Sequence, residues 1–589
     1  MEIVTELTVS SSMKLESKIR SSVTELSKSL QRFPLTAILS FILLVLMIAY
    51  NELNMRGDYE QQASLMRFIK IAALGTLLSV SLKHLAESFL PKKNSLILMV
   101  PLLFALLLIY YVFYTKRITM IDDIRFAATL FFSLVLVFYT SKLKEQKHYE
   151  VYVIKVFNGA FMTALYSGVL YFGISAIIFT INALFDAEIE SKYYFYFFLI
   201  VTLIFGVLML LSKLPAKDEE FEGYVYSKGL KVLLLYIVIP LISIYTVILY
   251  VYFAKILITQ TWPRGIVSNL VLWYAVLCAA VIFFLTPILE EKPIAKLFRV
   301  WFPRLLIPIL AMMFVSIGKR INQYGFTENR YYVVLLGIWI LLVMIYFVLS
   351  KSLRNIFLPL SLSLFVFLSV YGPLSAFNVS SMSQNSRLTA LLEKNNMIQD
   401  GLVIPSTAVS KTDRENISSI VYFFDRRDLT KINYLEDDFE MADFEKTFGF
   451  SATENYFPSQ QYVYLYAQPG NTSIDIKGYD YSLTLSSDDQ MIKINENTSI
   501  RYDKTKKSIV VSEGNELLLE ADITDQLKSL VESYSQDSKG NATYDQTTFI
   551  EENSKVKLKF IVTELSGYKE DETYVYEMVR ILTFVTIKP

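Results

Sequence analysis

Ser95-Leu-Ile-Leu-Met-Val-Pro-Leu-Leu-Phe-Ala-Leu-Leu-Leu-Ile-Tyr-Tyr-Val-Phe-Tyr114 carries no charged side chain. At 1.5 Å per residue such a run forms a helix of about 30 Å, the thickness of a bilayer's hydrocarbon core. Inside lipid the backbone must satisfy its own polar groups, so an unbroken helix is the structure this run can adopt. Further apolar stretches follow the same rule at about 33–50, 68–82, 124–140, 152–184, 193–211, 230–256, 267–285, 300–317, 331–349 and 356–371. The sequence therefore predicts a polytopic α-helical membrane bundle of about eleven transmembrane helices. The stretch 68–82 is the shortest of them and ends near Lys83 and His84. The stretch 33–50 lacks a small-residue cleavage site before Asn51-Glu52 and reads as a retained span rather than a signal peptide.

Composition agrees with two environments. The 589 residues are 53% hydrophobic and formally neutral, with a mean hydropathy of +0.40. The neutrality is a cancellation: from Ala376 on, 22 Lys and Arg face 34 Asp and Glu, a net −12, and the preceding residues carry the opposite +12. The basic part is also the apolar part, as suits a region held among anionic headgroups. We expect three regions: a basic amphipathic helix at 1–32, a transmembrane bundle at 33–375 and a soluble domain at 376–589. In the first, Leu15, Ile19, Val23, Leu26 and Leu30 recur at helical spacing among Lys14, Lys18, Arg20, Lys28 and Arg32.

Orientation follows from basic residues in the short loops. The set that includes the N-terminus, Lys92, Lys93, Lys142, Lys144, Lys147 and Lys296 is richer than the set holding Arg56, Lys116, Arg117 and Arg264. The N-terminus is therefore expected in the cytoplasm, and an odd number of spans places residues 376–589 outside.

The polar region alternates between signals. Residues 386–397 and 417–425 read as helices. From Gln461 on, a period of two dominates, as in Tyr462-Val463-Tyr464-Leu465-Tyr466 and Tyr481-Ser482-Leu483-Thr484-Leu485. Helical spacing returns at 523–534, with Asp522 or Thr524 as N-cap. The expectation is a C-terminal α+β soluble domain built on an antiparallel sheet. A lone cysteine, Cys278, allows no internal disulfide, so this domain must fold on its own core.

Three motifs carry a resemblance: Gln31-Arg32-Phe33-Pro34-Leu35-Thr36, Gln323-Tyr324-Gly325-Phe326-Thr327-Glu328-Asn329-Arg330-Tyr331-Tyr332, and Gly372-Pro373-Leu374-Ser375-Ala376 with Leu391-Leu392-Glu393-Lys394-Asn395. Together the chain resembles the bacterial inner-membrane family DUF4153. The resemblance implies the architecture above and a bacterial cell membrane; it implies no catalytic residues.

Chemistry-bearing residues are few. Residues 318–332 concentrate Lys319, Arg320, Tyr324, Thr327, Glu328, Asn329 and Arg330 between two spans. Guanidinium groups suit phosphate or carboxylate, and Glu328 can orient one of them. The segment therefore reads as a binder of anionic headgroups or as a dock for the acidic domain. The plainer reading is a turn with Thr327 as N-cap and Arg330 in an ion pair. Lys155 and Asn158 lie in the span 152–184, beside a Gly159, Thr163, Ser167 ladder. They suggest either a polar path or a snorkelling lysine on a packing seam. Pro303 and Pro308 predict a kink in the ninth span.

The sequence lacks GxxxxGK[ST], HExxH, GxSxG and a Rossmann glycine pattern, and only His84 and His148 are available as histidines. No cofactor, metal or nucleic-acid partner is expected; the lipid bilayer is. The functional expectation is sensing or scaffolding through the outer domain, or movement of a small solute or lipid. The second class is an integral membrane enzyme acting on a lipid-linked substrate.

Overall fold

The computed structural model describes residues 24–588 except 25, 57–58, 92–94, 116–118, 218, 260–265, 428, 430, 437, 453–460, 469–472, 488–490, 515, 535–540 and 571–572. The basic amphipathic helix expected before Arg32 lies mostly outside the described residues; 26–32 are helical. The chain divides into two compact units, Met1–Asp413 with Ile420–Ser451, and Arg414–Ser419 with Ala452–Pro589. The change of composition expected at residue 376 thus precedes the change of packing unit.

The first unit is helical: α1 (Pro34–Arg56), α2 (Tyr59–Phe89), α3 (Ser95–Tyr114), α4 (Met120–Tyr139), α5 (Tyr149–Phe185), α6 (Lys192–Lys213), α7 (Lys228–Thr259), α8 (Ile266–Leu285), α9 (Pro293–Tyr324), α10 (Glu328–Leu349), α11 (Phe357–Val370), α12 (Ala376–Lys394), α13 (Lys411–Asp425) and α14 (Phe444–Phe448). Among the described residues, nine of these are long and apolar enough to cross a membrane. The expected eleven is therefore not reached. α4 has the length but places Asp122, Asp123 and Arg125 in its first turns, and α11 has only 14 residues. These two pack side by side. Thr129 and Tyr371 share a hydroxyl hydrogen bond of 2.6 Å, and Tyr139 and Ser363 one of 3.0 Å.

The apolar faces point outward as well as inward. Ile97, Phe104 and Phe113 on α3, and Phe161, Val169, Phe172 and Phe179 on α5, are exposed. Contiguous apolar surface of this kind is rare on a protein bathed in water and normal for one bathed in lipid. The centre is built by α8, α9 and α10, where Ile282, Leu306, Leu310, Met313, Ile340 and Met344 are fully buried. α9 stays helical through Pro303 and Pro308. The Tyr250 hydroxyl of α7 donates to the Leu305 carbonyl on this stretch, at 2.8 Å.

Close approach elsewhere depends on small residues. A Cβ on Gly159 would sit 2.7 Å from Lys213 Cβ, and one on Gly206 would sit 3.2 Å from Ser167 Oγ. The Gly159, Thr163, Ser167 ladder is thus the α5–α6 seam. At the start of α1, Arg32 donates twice to Glu87 of α2, at 3.0 and 2.8 Å, and once each to the carbonyls of Leu214 (2.9 Å) and Pro215 (3.2 Å). One guanidinium therefore ties the start of α1 to α2 and to the end of α6.

The second unit is mainly sheet, as its period-two segments predict. A short antiparallel pair, β1 (Ile398–Gln399) with β2 (Leu402–Val403), belongs to the first unit. In the second, β3 (Gln461–Gln468), β4 (Tyr481–Ser486), β9 (Asn541–Thr543), β10 (Thr548–Glu552), β11 (Val556–Glu570) and β12 (Thr573–Ile587) form a six-stranded sheet in the order β4-β12-β11-β3-β9, with β10 on β11. Strands β5 (Ile492–Lys493), β6 (Thr498–Asp503), β7 (Ser508–Glu513) and β8 (Glu516–Asp522) make a second, antiparallel sheet. The exception to antiparallel pairing is β3 with β9. Helix α15 (Thr524–Tyr534) begins where the Asp522 carboxylate accepts the Thr524 N–H at 2.9 Å. Its Leu527, Leu530 and Val531 join Val556, Leu558 and Phe560 in the core.

Replacing Gly159 by leucine should lower stability by about 1–3 kcal/mol through overpacking. Gly168→Leu, where an added Cβ meets nothing within 4 Å, should not. Thermal unfolding of both variants in detergent checks this; equal melting temperatures would contradict the seam.

Candidate functional site

The corner between α9 and α10 is set by Gly325, whose φ of +68° lies in the left-handed region that favours glycine. Its backbone also lies close against α12. An added Cβ would stand 2.6 Å from Arg387 Cδ and 3.0 Å from Ser383 Oγ. Gln384 Nε2 donates to the carbonyls of Tyr324 (3.2 Å) and Phe326 (2.6 Å). The Phe326 N–H donates to Ser383 Oγ at 2.9 Å. Arg387 donates to Gln384 Oε1 at 2.9 Å and so holds that amide in place; burial draws the Arg387 guanidinium below its usual pKa range.

Glu328 is the sole carboxylate within residues 318–332. It does not orient an arginine of its own loop. Its two oxygens accept from Arg427 Nε at 2.7 Å and Nη2 at 2.9 Å, and the side chains are 7% and 13% exposed. Arg427 lies 4.0 Å over the Phe423 ring and donates to the Phe423 carbonyl at 3.0 Å. This planar, two-bond geometry is the strong form of an arginine–carboxylate pair. It sits just beyond α13, which is tied to α12 by Lys394 and Asp413 at 2.9 and 3.0 Å. The Lys394 ammonium there holds the Asp413 carboxyl below the usual range.

The other cations of the loop face elsewhere. Arg330 donates to the carbonyls of Tyr324 (3.2 Å) and Gly325 (2.8 Å) and lies 5.5 Å from the Tyr324 ring centre. These contacts place the guanidinium without neutralising it, so the expected ion pair of Arg330 is replaced by carbonyl bonds. Thr327 occupies the N-cap position of α10 but makes no capping hydrogen bond. Among the described residues, no carboxylate pairs with Arg320 or Arg330.

Arg320, Thr327, Asn329 and Arg330 line a cleft of about 520 Å³, with Ser268, Asn269, Leu272 and Trp273 of α8 and Ile317, Tyr332, Val333 and Leu336 beside them. Ser268 Oγ and Tyr332 Oη are buried there with no hydrogen-bond partner among the described residues. A half-apolar concavity with a few convergent polar groups is the usual form of a small-molecule site. Unpaired buried hydroxyls cost stability unless something occupies the space. Of the remaining loop residues, Tyr324 supports Arg330, Glu328 is held by Arg427, and Lys319 is exposed outside the lining.

Lys155 and Asn158 are not part of this cleft. Lys155 reaches Glu219 at 2.5 Å, 4.6 Å from the Phe221 ring centre, near the N-terminal end of α5. Asn158 is exposed one turn along. Asp438 lines a separate cavity of about 320 Å³ with Glu436 and Asp443. Among the described residues, no group of His, Cys, Asp and Glu side chains could hold a metal ion.

Arg427, Gln384, Arg387, Ser268 and Trp273 are not singled out by sequence reading, because none lies near the loop in the chain. Their role is set by packing alone. Removing one partner of a buried ion pair leaves the other charge stranded, which typically costs 3–5 kcal/mol. Arg427→Ala should therefore destabilise the helical unit by about 3 kcal/mol, and adding Glu328→Gln should recover part of it. Melting curves of the single and double variants check the coupling; additive losses would contradict it.

The family model described as Domain of unknown function (DUF4153) matches residues 26–405, which include α1 to α12 and the whole α9–α10 corner. The chain is also 26% identical over 204 residues to the uncharacterised protein PM1469 of Pasteurella multocida (strain Pm70), a match covering 34% of each chain. The chain thus spans about a third of the length of that curated relative. No solved structure matches. With well over half of its residues matched, including the Arg32 motif and the cationic corner, the chain belongs to the DUF4153 family.

Proposed function

We propose that this is a multi-pass protein of the bacterial inner membrane whose helical unit binds an anionic group, phosphate or carboxylate, in the Arg320–Arg330 cleft. One observation carries the reading: Glu328 is taken by Arg427, which leaves the two lining guanidiniums without a carboxylate. A desolvated cation at a concave apolar wall gains most from an anion with oxygens in a fork. The role served is sensing of that anion, or its movement along or across the bilayer.

The alternative, an integral membrane enzyme, needs a general acid or base in the cleft. The lining supplies arginines, amides and hydroxyls, and the nearby carboxylate is engaged. Binding is therefore favoured over catalysis.

The orientation proposed is an N-terminus in the cytoplasm with the sheet unit outside. It rests on the basic-loop bias and on span parity. It takes α4 and α11, packed side by side, as crossing together with the nine longer helices, which is what keeps the basic loops on one side.

Two measurements test these statements. Calorimetry of the detergent-solubilised protein with glycerol phosphate should show binding that Arg320→Glu weakens tenfold or more, the loss of about 1.4 kcal/mol or more. Arg320→Gln should give an intermediate loss. Unchanged affinity in both would overturn the site. For orientation, a membrane-impermeant maleimide on intact cells should label Lys528→Cys and spare Lys28→Cys; the reverse pattern would overturn it.

A further inference from the structure

We infer that the anion in the cleft is the head of a lipid, whose hydrocarbon chain lies along α8 in the apolar groove beyond Trp273. This inference rests on the anion-binding reading above and narrows it to one ligand class. The groove, about 550 Å³, lies between α7 and α8 and is lined by Leu241, Ile244 and Ile248 on one side and Leu270, Trp273 and Leu277 on the other.

Three observations join the groove to the cleft. Trp273 lines both, so the two concavities share a wall. Asn269, Trp273 and Leu277 recur every four residues along one face of α8, so head site and groove follow one line over about 12 Å of helix. The chemistry changes along that line in the order an amphiphile needs. Arg320, Arg330 and the 2% exposed Ser268, unpartnered among the described residues, come first, then an indole, then a mainly aliphatic wall that also holds Tyr245 and Tyr274.

A free, hydrated phosphate would set its water shell against Leu272, Val333 and Leu336. A lipid head would turn its glycerol and chain to that wall and its oxygens to the arginines. The groove side chains Leu241, Ile244, Leu270 and Leu277 are exposed at the level of the spans, where hydrocarbon is the available occupant. Trp273 is 65% exposed and stands where head and chain would meet, the position that an apolar ring with a polar N–H favours.

The test uses the full chain in phosphatidylcholine nanodiscs that contain a minor fraction of chain-brominated phosphatidic acid. A matched fraction of chain-brominated phosphatidylcholine is the reference. The fluorescence difference between the protein and its Trp273→Phe variant isolates this ring. Bromines near Trp273 should be enriched about tenfold by the anionic head. Arg320→Glu should abolish the enrichment, and added glycerol phosphate should compete only weakly. Equal quenching by the two lipids, in protein that still binds glycerol phosphate, would overturn the lipid assignment and leave the anion site standing. Equal quenching in protein that binds no glycerol phosphate would overturn both. A folding loss in Arg320→Glu is bypassed by the wild-type comparison of the two lipids.

Discussion

The buried pair of Glu328 and Arg427 organises the α9–α10 corner. Glu328 stands in the first turn of α10, where a carboxylate also complements the helix dipole. Its partner arrives from beyond α13, so two helices distant in the chain are held by a two-bond contact with almost no water. Such a contact contributes modest net stability, because both charges are desolvated, but breaking it is expensive. Its larger consequence is electrostatic. With its one carboxylate consumed, the loop keeps a surplus of positive charge, and two of its cations, Arg320 and Arg330, line a concavity.

The helices around the corner obey a different constraint, the need to satisfy backbone polar groups inside hydrocarbon. Long apolar runs solve it by becoming helices, and the remaining polar atoms are gathered into a few interhelical contacts. Arg32 with Glu87, Thr36 with Ser79 at 2.7 Å, and Thr246 with Tyr274 are examples. Small residues such as Gly159 and Gly337 let helices approach where no polar contact holds them; a Cβ on Gly337 would meet Met313 Cε at 2.7 Å. In the cleft, Ser268 and Tyr332 keep buried hydroxyls with no partner among the described residues, as Thr163 and Ser167 do on the α5–α6 seam.

Much of this architecture could be read from residue order because the governing signals are local. The run from Ser95 to Tyr114 has one solution in lipid, and the alternation from Tyr462 to Tyr466 has one in a half-buried sheet. The count of spans was less legible. α11 is too short and α4 too charged to resemble its neighbours, and their side-by-side packing is a tertiary fact. Residues 318–332 stood out by charge density, and four of the seven side chains named there line the cleft. Reading them as an ion-paired turn failed because the carboxylate belongs to Arg427, about a hundred residues away. Lys155 was conspicuous for the opposite reason: a charge within an apolar run draws notice, yet its stem simply carries it to Glu219. Nothing local marks Trp273 as the wall shared by two concavities.

The most direct test is an experimental density map of the protein extracted with its native lipids. The expected result is non-protein density between the Arg320 and Arg330 guanidiniums, extending past Trp273 toward Leu277. The contradicting result is an empty cleft in which Arg320 or Arg330 is paired with a carboxylate of the chain.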